Sequence, residues 1–311
     1  MSEQGILLLG GTGYVGQSLL PRLLQTGHKV HVVARHLAPL PQAPNLIPHW
    51  TSLDDPAMLR EVLPVCQTVM HLASDSTPGT TAGHPVAEAE QNVVPSLRFL
   101  EVLQEHRGIH LVFISSGGTV YGNPESTPVN ELCPPAPISY HGAGKVAVEA
   151  FLHAYSSRSG GAVTILRPSN LYGPGQPYRK GFGIIRTILE HIRKGIPIEI
   201  WGDGEIVRDF IYIEDFLKIC MQVVKHRSNN RIIDIFNIGS GVGHTINQIC
   251  KIAESITGIN LERTYCSERS IDVRSIVLDT SRIIKHYGWH PAIDILEGIR
   301  STWQWLQTNA R

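Results

Sequence analysis

The sequence predicts an α/β fold in which a doubly wound parallel sheet carries a smaller mixed α/β part. Short apolar runs alternate with amphipathic stretches along the first half of the chain. The runs are continuous rather than alternately apolar and polar, which is typical of strands covered on both faces. Repetition of strand, helix and strand requires crossover helices between parallel strands, and such connections build a doubly wound sheet.

Each element of this sheet follows from its local pattern. The apolar runs predict five strands, at residues 6–9, 30–33, 68–72, 110–114 and 163–166. The amphipathic stretches predict helices at residues 16–25, 56–63, 88–105 and 145–155. Pro21 falls inside the first helix, so it must kink that helix or lie on its exposed face.

The pattern becomes more irregular after Pro174. It predicts helices at residues 181–194, 213–224, 245–256 and 295–307, and strands at 196–201 and 232–238. We therefore place the parallel sheet in residues 1–173, with residues 206–240 returning to it. The smaller part lies mainly in residues 174–311.

Composition excludes several classes of protein. The 27 Lys and Arg balance 27 Asp and Glu, whereas a nucleic-acid binder shows a basic footprint. No apolar run reaches the ~18 residues of a transmembrane helix, and the N-terminus lacks a signal-peptide pattern. The five cysteines form no CxxC pair and the 15 histidines form no HExxH pair, so no disulfide framework or metal site is predicted. We expect a cytoplasmic protein without nucleic-acid, membrane or metal partners.

The strongest local motif is the segment GGTGYVG at residues 10–16. It contains G-x-G-x-x-G and lies between a predicted strand and a predicted helix, the context that gives this motif its meaning. Glycine permits a tight turn and lets backbone N–H groups approach a pyrophosphate at the start of a helix. The segment therefore predicts a dinucleotide site of the Rossmann type. The residues that would form this part of the site are Gly10, Gly13, Tyr14, Val15 and Gly16.

The end of the second predicted strand suggests which dinucleotide binds. An acid is expected there to hold the adenosine ribose hydroxyls, but the strand is followed by Ala34, Arg35 and His36. A cation in place of an acid suits a 2′-phosphate. The cofactor is thus NAD or NADP, and Arg35 favours NADP.

Small hydroxyl residues follow the predicted strand at 110–114, where ligands bind in open α/β sheets. They include Ser115, Ser116 and Thr119 in the segment ISSGGTVYG at 114–122. A second polar segment, SYHGAGK, lies at 139–145, and Ser139 in it is a candidate N-cap.

These segments resemble those of the extended short-chain dehydrogenase/reductases, specifically the nucleotide-sugar epimerase and dehydratase branch. The further matching segments, in chain order, are NVVPSL from Asn92, LRPSNLYGPG from Leu166, WGDGEIVRDFIY from Trp201, FNIGSG from Phe236, and Arg269 with Asp272. The resemblance covers essentially the whole chain. The form SSGGTVYG is most similar to that of bacterial enzymes labelled UDP-glucose 4-epimerases.

The resemblance implies 4-epimerisation of a UDP-hexose through a transient 4-keto sugar, with a tightly held nicotinamide cofactor. In the family, a tyrosine four residues before a lysine takes the proton of the sugar 4-OH while hydride leaves C4. Residues four apart share a helix face, and the lysine cation lowers the pKa of the tyrosine, so the pair can act as a base.

The resemblance also implies contacts to both ligands. The further cofactor contacts are Arg35, His36, Ser52, Leu53, Leu72, Ala73, Ser74, Asn92, Ser115, Lys145 and Pro168. Arg208 and Arg269 match positions that hold the diphosphate, for which the planar arginine fork is suited. Asn170 matches a diphosphate or sugar contact, and Asp272 matches a ribose or supporting position.

The segment before Lys145 departs from the family pattern. His141, not a tyrosine, stands four residues before the lysine, and Tyr140 stands five before it. On a regular helix His141 points about 40° from Lys145 and Tyr140 about 140° away. With an ordinary pKa of about 6.5, a histidine can act as a base near neutral pH. The expected base is therefore His141, or Tyr140 if the first turn is irregular.

The hydroxyl position of the family also departs. The family's active-site Ser or Thr falls on Gly117, and Ser116 and Thr119 flank it as replacements. The Asp-Glu pair expected of 4,6-dehydratases is replaced by Gly118 and Thr119, so a dehydratase is disfavoured.

Other functions remain open at this point. One is a catalytically impaired homologue that binds NAD(P) and a nucleotide sugar. Another is a nucleotide-sugar reductase that consumes its cofactor, or a dehydratase, which is less favoured than an epimerase. The helices at 88–105 and 145–155 resemble those that pair in a family homodimer, so a homodimer is expected.

Overall fold

The computed structural model describes residues 5–77, 79–179, 181–226, 233–269 and 272–309. The strands are β1 (Gly5–Leu9), β2 (Val30–Val33), β3 (Leu46–His49), β4 (Cys66–His71), β5 (His110–Ile114), β6 (Ala162–Pro168), β7 (Asn170–Tyr172), β8 (Ile198–Trp201), β9 (Val207–Tyr212), β10 (Ile233–Ile238), β11 (Gly243–Thr245), β12 (Arg263–Cys266) and β13 (Ser275–Ile276). The helices are α1 (Tyr14–Gln25), α2 (Pro56–Val62), α3 (Pro85–Glu88), α4 (Val94–Leu103), α5 (Tyr140–Ser159), α6 (Ile184–Lys194), α7 (Ile213–Lys225), α8 (Ile246–Thr257), α9 (Ser281–Tyr287) and α10 (Ile295–Asn309).

Seven parallel strands form the main sheet, in the order β10-β6-β5-β4-β1-β2-β3. The strand order reverses between β1 and β4, which is where ligands bind in doubly wound sheets. The predicted α/β fold with a doubly wound parallel sheet is confirmed. The chain between β6 and β10 leaves this sheet and returns to it, and the exact limits of the two parts remain a prediction.

The continuous apolar run of β1 shows why the sheet is covered on both faces. Ile6 and Leu8 pack into one core with α1, α7 and α9. Leu7 and Leu9 pack into a second core with α2, α4 and α5. Because successive strand residues point to opposite faces, only an uninterrupted apolar run can serve both cores.

The smaller part is built from short strands and three helices. β9 pairs with β7, β11 and β13, and β8 pairs with β12 in a separate ladder. A third core fills the space among α6, α8 and α10. None of the described helices is long and apolar enough to cross a bilayer.

Proline accounts for two differences from the sequence predictions. The helix predicted at 88–105 is instead α3, a π-helical segment at Ala89–Val93, and α4. Pro95 lacks the N–H that would continue the ladder across this point, and π segments occur where a helix accommodates such a defect. β3 was not predicted because Pro48 interrupts its pattern, yet an edge strand tolerates proline. Pro21 lies on the exposed face of α1, which is one of the two positions predicted for it, the other being a kink in the helix.

Candidate active site

The glycine turn, residues 10–16, connects β1 to α1 and has no room for side chains at two positions. Gly10 has φ +85°, and a Cβ there would lie 2.8 Å from the backbone nitrogen of Ala73. A Cβ on Gly16 would overlap the carbonyl oxygen of Gly10. The chain therefore closes tightly around this turn because glycine occupies both positions.

The start of α1 presents backbone donors at the same turn. Gly13 is the N-cap and has no side chain to cap the helix, so the first N–H groups, beginning with Tyr14 and Val15, have no intrahelical acceptor. Those donors and the helix dipole together suit an anion such as a pyrophosphate.

The two residues that follow Ala34 after β2 lie at the surface, and one of them forms an ion pair. Arg35 and His36 are exposed, and an Arg35 guanidinium nitrogen lies 2.5 Å from Oδ1 of Asp75. Asp75 follows β4, which is separated from β2 by β1 in the sheet. The cation expected to face a 2′-phosphate therefore already has a carboxylate partner, from the loop after β4. Ser52 and Leu53 lie between β3 and α2.

The ends of β4, β5 and β6 complete this edge of the sheet. Leu72 donates its backbone N–H to the carbonyl of Leu9, and Ala73 packs on Gly10. Ser74 follows them in the same loop. Pro168, at the end of β6, accepts a hydrogen bond from the N–H of Gly117 at 2.8 Å.

α5 begins as the sequence predicts at its cap, but its first two residues differ sharply in burial. The Ser139 hydroxyl accepts a hydrogen bond from the Gly142 N–H. Tyr140 is 43% exposed, whereas His141 is 8% exposed. Nδ1 of His141 lies 2.8 Å from the hydroxyl oxygen of Ser76 in the loop after β4. The helix is regular from Tyr140 onward, so the first turn does not bring Tyr140 to the face of Lys145.

Burial sets the charge state of His141. It lowers the pKa of His141 from its ordinary 6.5 to about 3, and the nearby Lys145 cation acts in the same direction. The imidazole is therefore neutral at neutral pH.

Lys145 is buried one helical turn beyond His141. Its ammonium donates to the carbonyl oxygen of Ile114 at 2.9 Å and lies 5.0 Å from the ring centre of Phe113. Burial lowers the pKa of Lys145 to about 8, against the opposing effect of Glu88 and Glu149. Lys145 is thus a group of this site that changes charge near neutral pH.

A buried hydrogen-bonded network fixes the neighbouring strand ends. The Ser115 hydroxyl donates to Oε1 of Glu149 at 2.5 Å. The Arg167 guanidinium donates to both oxygens of Glu149, and also to the hydroxyl of Tyr121 at 2.8 Å. The Ser115 hydroxyl therefore uses its hydrogen in a bond to a buried residue of the protein and not to a ligand.

Close packing explains why the family's hydroxyl position is a glycine. A Cβ on Gly117 would lie 2.6 Å from Leu278 and 2.8 Å from the carbonyl oxygen of Arg167. Ser116 is half-buried next to it. The hydroxyl of Thr119 is buried without a hydrogen-bond partner in the described part of the chain, so Thr119 has an unused donor and acceptor beside the start of α5.

The predicted substrate residues form a positively charged cluster. Arg269 donates from Nε and Nη2 to the two oxygens of Asp272, at 2.9 and 3.1 Å. Its guanidinium stacks 5.2 Å from the ring centre of Trp201. Burial lowers the pKa of Arg208 to about 10, and Arg208 also senses the charges of Asp272 and Arg269. Arg208 donates to the carbonyl oxygen of Val207 instead of to Asp272. Two guanidinium groups thus lie near one carboxylate that pairs with Arg269, which leaves a net positive charge that suits a diphosphate.

Asn170 links this cluster to the strand ends. Its Oδ1 lies 3.2 Å from where a Cβ on Gly118 would be, so Asn170 covers the segment that contains Thr119. Asn170 also pairs with Phe210 in the β7–β9 ladder, two residues from Arg208.

Comparison with known proteins identifies the family. The NAD dependent epimerase/dehydratase family matches the chain over residues 6–239. The protein belongs to this family. The putative UDP-glucose 4-epimerase of Methanocaldococcus jannaschii is 29% identical, over 98% of this chain and 99% of that protein.

Two solved structures of this family are similar along their whole length. The UDP-glucose 4-epimerase of Thermotoga maritima, solved with UDP-glucose, is 30% identical, with a TM-score of 0.91 over 99% of this chain and 100% of the other. The UDP-glucose 4-epimerase of Thermus thermophilus, in complex with NAD, is 27% identical with a TM-score of 0.89, over 99% and 100% of the two chains.

The residues of this epimerase/dehydratase family member fit the dinucleotide that the family uses. The side-chain-free positions Gly10 and Gly16 and the uncapped start of α1 form a cradle for a pyrophosphate. NAD bound there would supply a hydride acceptor.

Besides the buried network around Glu149 and Arg167, three side chains that surround His141, Asn92 and Arg35 were not predicted from the sequence. They are Asp75, Ser76 and Glu88, of which Ser76 contacts His141 and Glu88 contacts Asn92. The spacing of four between Glu88 and Asn92 is a signal for a shared helix face. No local pattern points to Ser76, because its partner lies 65 residues away.

Proposed function

We propose that the protein is an NAD-dependent 4-epimerase of a UDP-hexose that acts through a transient 4-keto sugar. The observation that carries this proposal is the pair of arginines, Arg208 and Arg269, that lie near the carboxylate of Asp272 in a chain of the epimerase/dehydratase family. The carboxyls that a dehydratase needs to remove the C5 proton are missing, since Gly118 and Thr119 occupy their positions.

In this proposal the arginine cluster binds the diphosphate and Asn170 contacts the sugar or diphosphate. Asp272 orients Arg269 through its two hydrogen bonds. Thr119, whose hydroxyl has no partner in the described chain, and Ser116 next to it are the candidates to orient the sugar 4-OH.

Lys145 would hold the nicotinamide ribose and supply the positive charge of the site. Its pKa of about 8 predicts a rate that falls as the pH rises above about 8, when the cation is lost. Because the pKa of His141 lies near 3, no inflection is expected from it between pH 6 and 7. We place His141 rather than Tyr140 next to the reacting oxygen, since the Tyr140 side chain faces solvent.

We propose NAD as the working cofactor. The preference for NADP that Arg35 suggests depends on a guanidinium that Asp75 already pairs. Dissociation constants for NAD and NADP, measured side by side, test the choice, and tighter NADP binding would restore the alternative.

A homodimer is proposed through α3, α4 and α5. Val86, Val94 and Phe151 are large apolar side chains on these helices, and each is more than a third exposed. Burial of such side chains drives association. Sedimentation velocity at micromolar concentration tests the proposal, and Phe151→Asp is expected to shift the protein toward monomer.

The experiment that tests the function follows UDP-galactose by proton NMR in the presence of purified protein and NAD. New UDP-glucose signals with no net change in NADH absorbance establish epimerisation. Lys145→Met is expected to reduce the rate ~100-fold or more, while Lys285→Met, a substitution on α9 away from the site, serves as the control. Unchanged UDP-galactose in a sample shown to contain bound NAD would contradict the proposed substrate.

A second candidate function is reduction of a 4-keto nucleotide sugar. It is favoured by Arg35, because a cation after β2 suits the 2′-phosphate of NADPH, the cofactor that such a reductase would consume. Net consumption of NADH or NADPH with a 4-keto nucleotide sugar separates it from epimerisation, which recycles the cofactor.

A further inference from the structure

Four side chains form a hydrogen-bonded chain that ends on His141. The Asn92 amide nitrogen Nδ2 lies 3.0 Å from Oε1 of Glu88 and 2.9 Å from the hydroxyl oxygen of Ser76. That hydroxyl lies 2.8 Å from Nδ1 of His141. The chain joins the π segment between α3 and α4, the loop after β4, and α5.

The direction of these hydrogen bonds is fixed at Asn92. Its Oδ1 accepts the backbone N–H of Asp75 at 2.8 Å. A backbone N–H can only donate, so the atom facing it must be the amide oxygen, and Nδ2 must face Glu88 and Ser76. The two hydrogens of Nδ2 then go to the Glu88 carboxylate and to the Ser76 oxygen.

The proton on Ser76 follows from that assignment. The Ser76 oxygen accepts from Asn92, and the described chain offers the buried hydroxyl one acceptor, Nδ1 of His141. A buried hydroxyl that does not donate costs about 1–3 kcal/mol. Ser76 therefore donates to Nδ1, and the neutral imidazole carries its proton on Nε2.

Glu88 fits into space that a glycine leaves open. Its side chain is 3% exposed, and a Cβ on Gly144 would overlap its Oε1. The absence of a side chain at Gly144, one residue before Lys145, is what lets the carboxylate reach Asn92. The other oxygen of Glu88 has no hydrogen-bond partner in the described chain, so the carboxylate is held chiefly by Asn92.

Nε2 of His141 is the free end of the chain. The described residues offer it no hydrogen-bond partner, while the Lys145 cation lies close enough to disfavour a charged imidazole. The backbone of Thr119 lies against the start of α5, where a Cβ on Gly142 would be 2.7 Å from its carbonyl oxygen. The backbone of Thr119 thus lies beside the helix turn that carries His141.

We propose that Ser76, oriented by Asn92 and Glu88, holds His141 in its Nε2–H tautomer, and that His141 binds the oxygen at sugar C4 as a hydrogen-bond donor. This inference rests on the proposed function for the identity of that oxygen. A carbonyl oxygen can only accept, so it matches such a donor more completely than a hydroxyl does. The site therefore favours the 4-keto form of the sugar. Ser76 is a positioning residue that acts through His141.

The tautomer can be read directly from the ¹⁵N spectrum of the full-length protein with NAD added. His141→Asn identifies the His141 signals by their loss. The expected spectrum shows a protonated-type shift at Nε2 and an unprotonated-type shift at Nδ1, both unchanged between pH 6 and 8. The opposite assignment, with the proton on Nδ1, would overturn the proposal.

Exchanging the acid and the amide at positions 88 and 92 is expected to reverse the direction of hydrogen-bond donation toward His141. In the double variant Glu88→Gln, Asn92→Asp, the carboxylate at position 92 accepts from the Asp75 N–H, from the new amide at position 88 and from the Ser76 hydroxyl. The Ser76 oxygen must then accept from His141, so the proton is expected to move to Nδ1. A spectrum that keeps the wild-type tautomer in this folded variant contradicts the role given to Asn92 and Glu88.

Ser76 itself provides the matched pair. Ser76→Ala removes the donor and is expected to give a mixture of tautomers, while Ser76→Thr retains the hydroxyl and is expected to restore the single Nε2–H form. Equal spectra for the alanine and threonine variants would overturn the proposal. None of these readouts requires turnover, so failure of UDP-galactose conversion would remove the proposed substrate and leave the tautomer result standing.

Discussion

The glycine turn at residues 10–16 and the start of α5 are both parts of the candidate site, yet they are specified in different ways. Within the turn, Gly16 is constrained by residues close in sequence, because a Cβ on it would meet the carbonyl of Gly10 six residues earlier, while Gly10 also approaches Ala73. The start of α5 depends on Ser76, Glu88 and Ile114, which reach it from other elements. One half of a site can therefore depend on local sequence while the other half depends on tertiary contacts.

The largest expected effect sharpens this contrast on the α5 side. Glu149, four residues after Lys145, is buried against Arg167 and Ser115. Glu149→Gln leaves the Arg167 cation without its carboxylate, and removal of one partner of a buried pair costs about 3–5 kcal/mol of the free energy of unfolding. Urea denaturation measures it. Glu105→Gln, in an exposed pair with Arg60, is the control and is expected to change little.

A smaller effect is expected from the glycine turn. Gly16→Ala places a methyl group against the Gly10 carbonyl and is expected to cost about 1–3 kcal/mol of stability and to weaken NAD binding at least ~10-fold. Gly79→Ala is the control, because the nearest atom to its new Cβ is 3.9 Å away. Wild-type NAD affinity in the Gly16 variant, measured by calorimetry, would show that the turn is not the pyrophosphate site.

Acidification is expected to destabilise the fold through buried neutral histidines. Burial lowers the pKa of His141 and of His71 to about 3, below the unfolded value near 6.5. Between these values the unfolded chain binds more protons, so stability rises with pH there and is lost as pH falls from about 6.5. Each histidine contributes a slope of about 1.4 kcal/mol per pH unit. His141→Asn is expected to reduce the slope measured by urea denaturation at a series of pH values.

The smallest effect concerns the cofactor phosphate. Asp75→Asn removes the carboxylate charge that pairs with Arg35. NADP binding is expected to strengthen relative to NAD binding by roughly fivefold, because an exposed ion pair contributes at most about 1 kcal/mol. Adding Arg35→Ala to this variant should cancel the shift. A shift that persists without the arginine would show that Arg35 does not face the cofactor.

Elements governed by local pattern were predicted with little error. β2 and β5 begin and end where their apolar runs do, and the Ser139 cap and the fold class follow from sequence as well. β3 was not predicted because Pro48 and the polar neighbours of Leu46 and Ile47 interrupt the strand pattern. The strand forms because it lies at the edge of the sheet, where proline is tolerated.

The acid–base corner could be predicted only in part. The sequence places His141 and Lys145 on one helix face, which the structure bears out, but it predicts the ordinary histidine pKa of about 6.5. The lowered pKa arises from burial beneath the loop that carries Ser76, and the position of Glu88 depends on a glycine of another helix. Neither effect has a spacing or composition that a single sequence displays.

The contact between Glu88 and Gly144 predicts that these two positions covary among relatives. A residue larger than glycine at 144 would displace the carboxylate at 88, so relatives with a side chain at 144 must shorten, reorient or replace the acid at 88. An aligned set of relatives would then divide into two groups, one with the glycine and acid together and one with neither. Relatives of the first group that also have histidine at 141 and serine at 76 are expected to share the Nε2–H tautomer. They could then be recognised from their sequences alone.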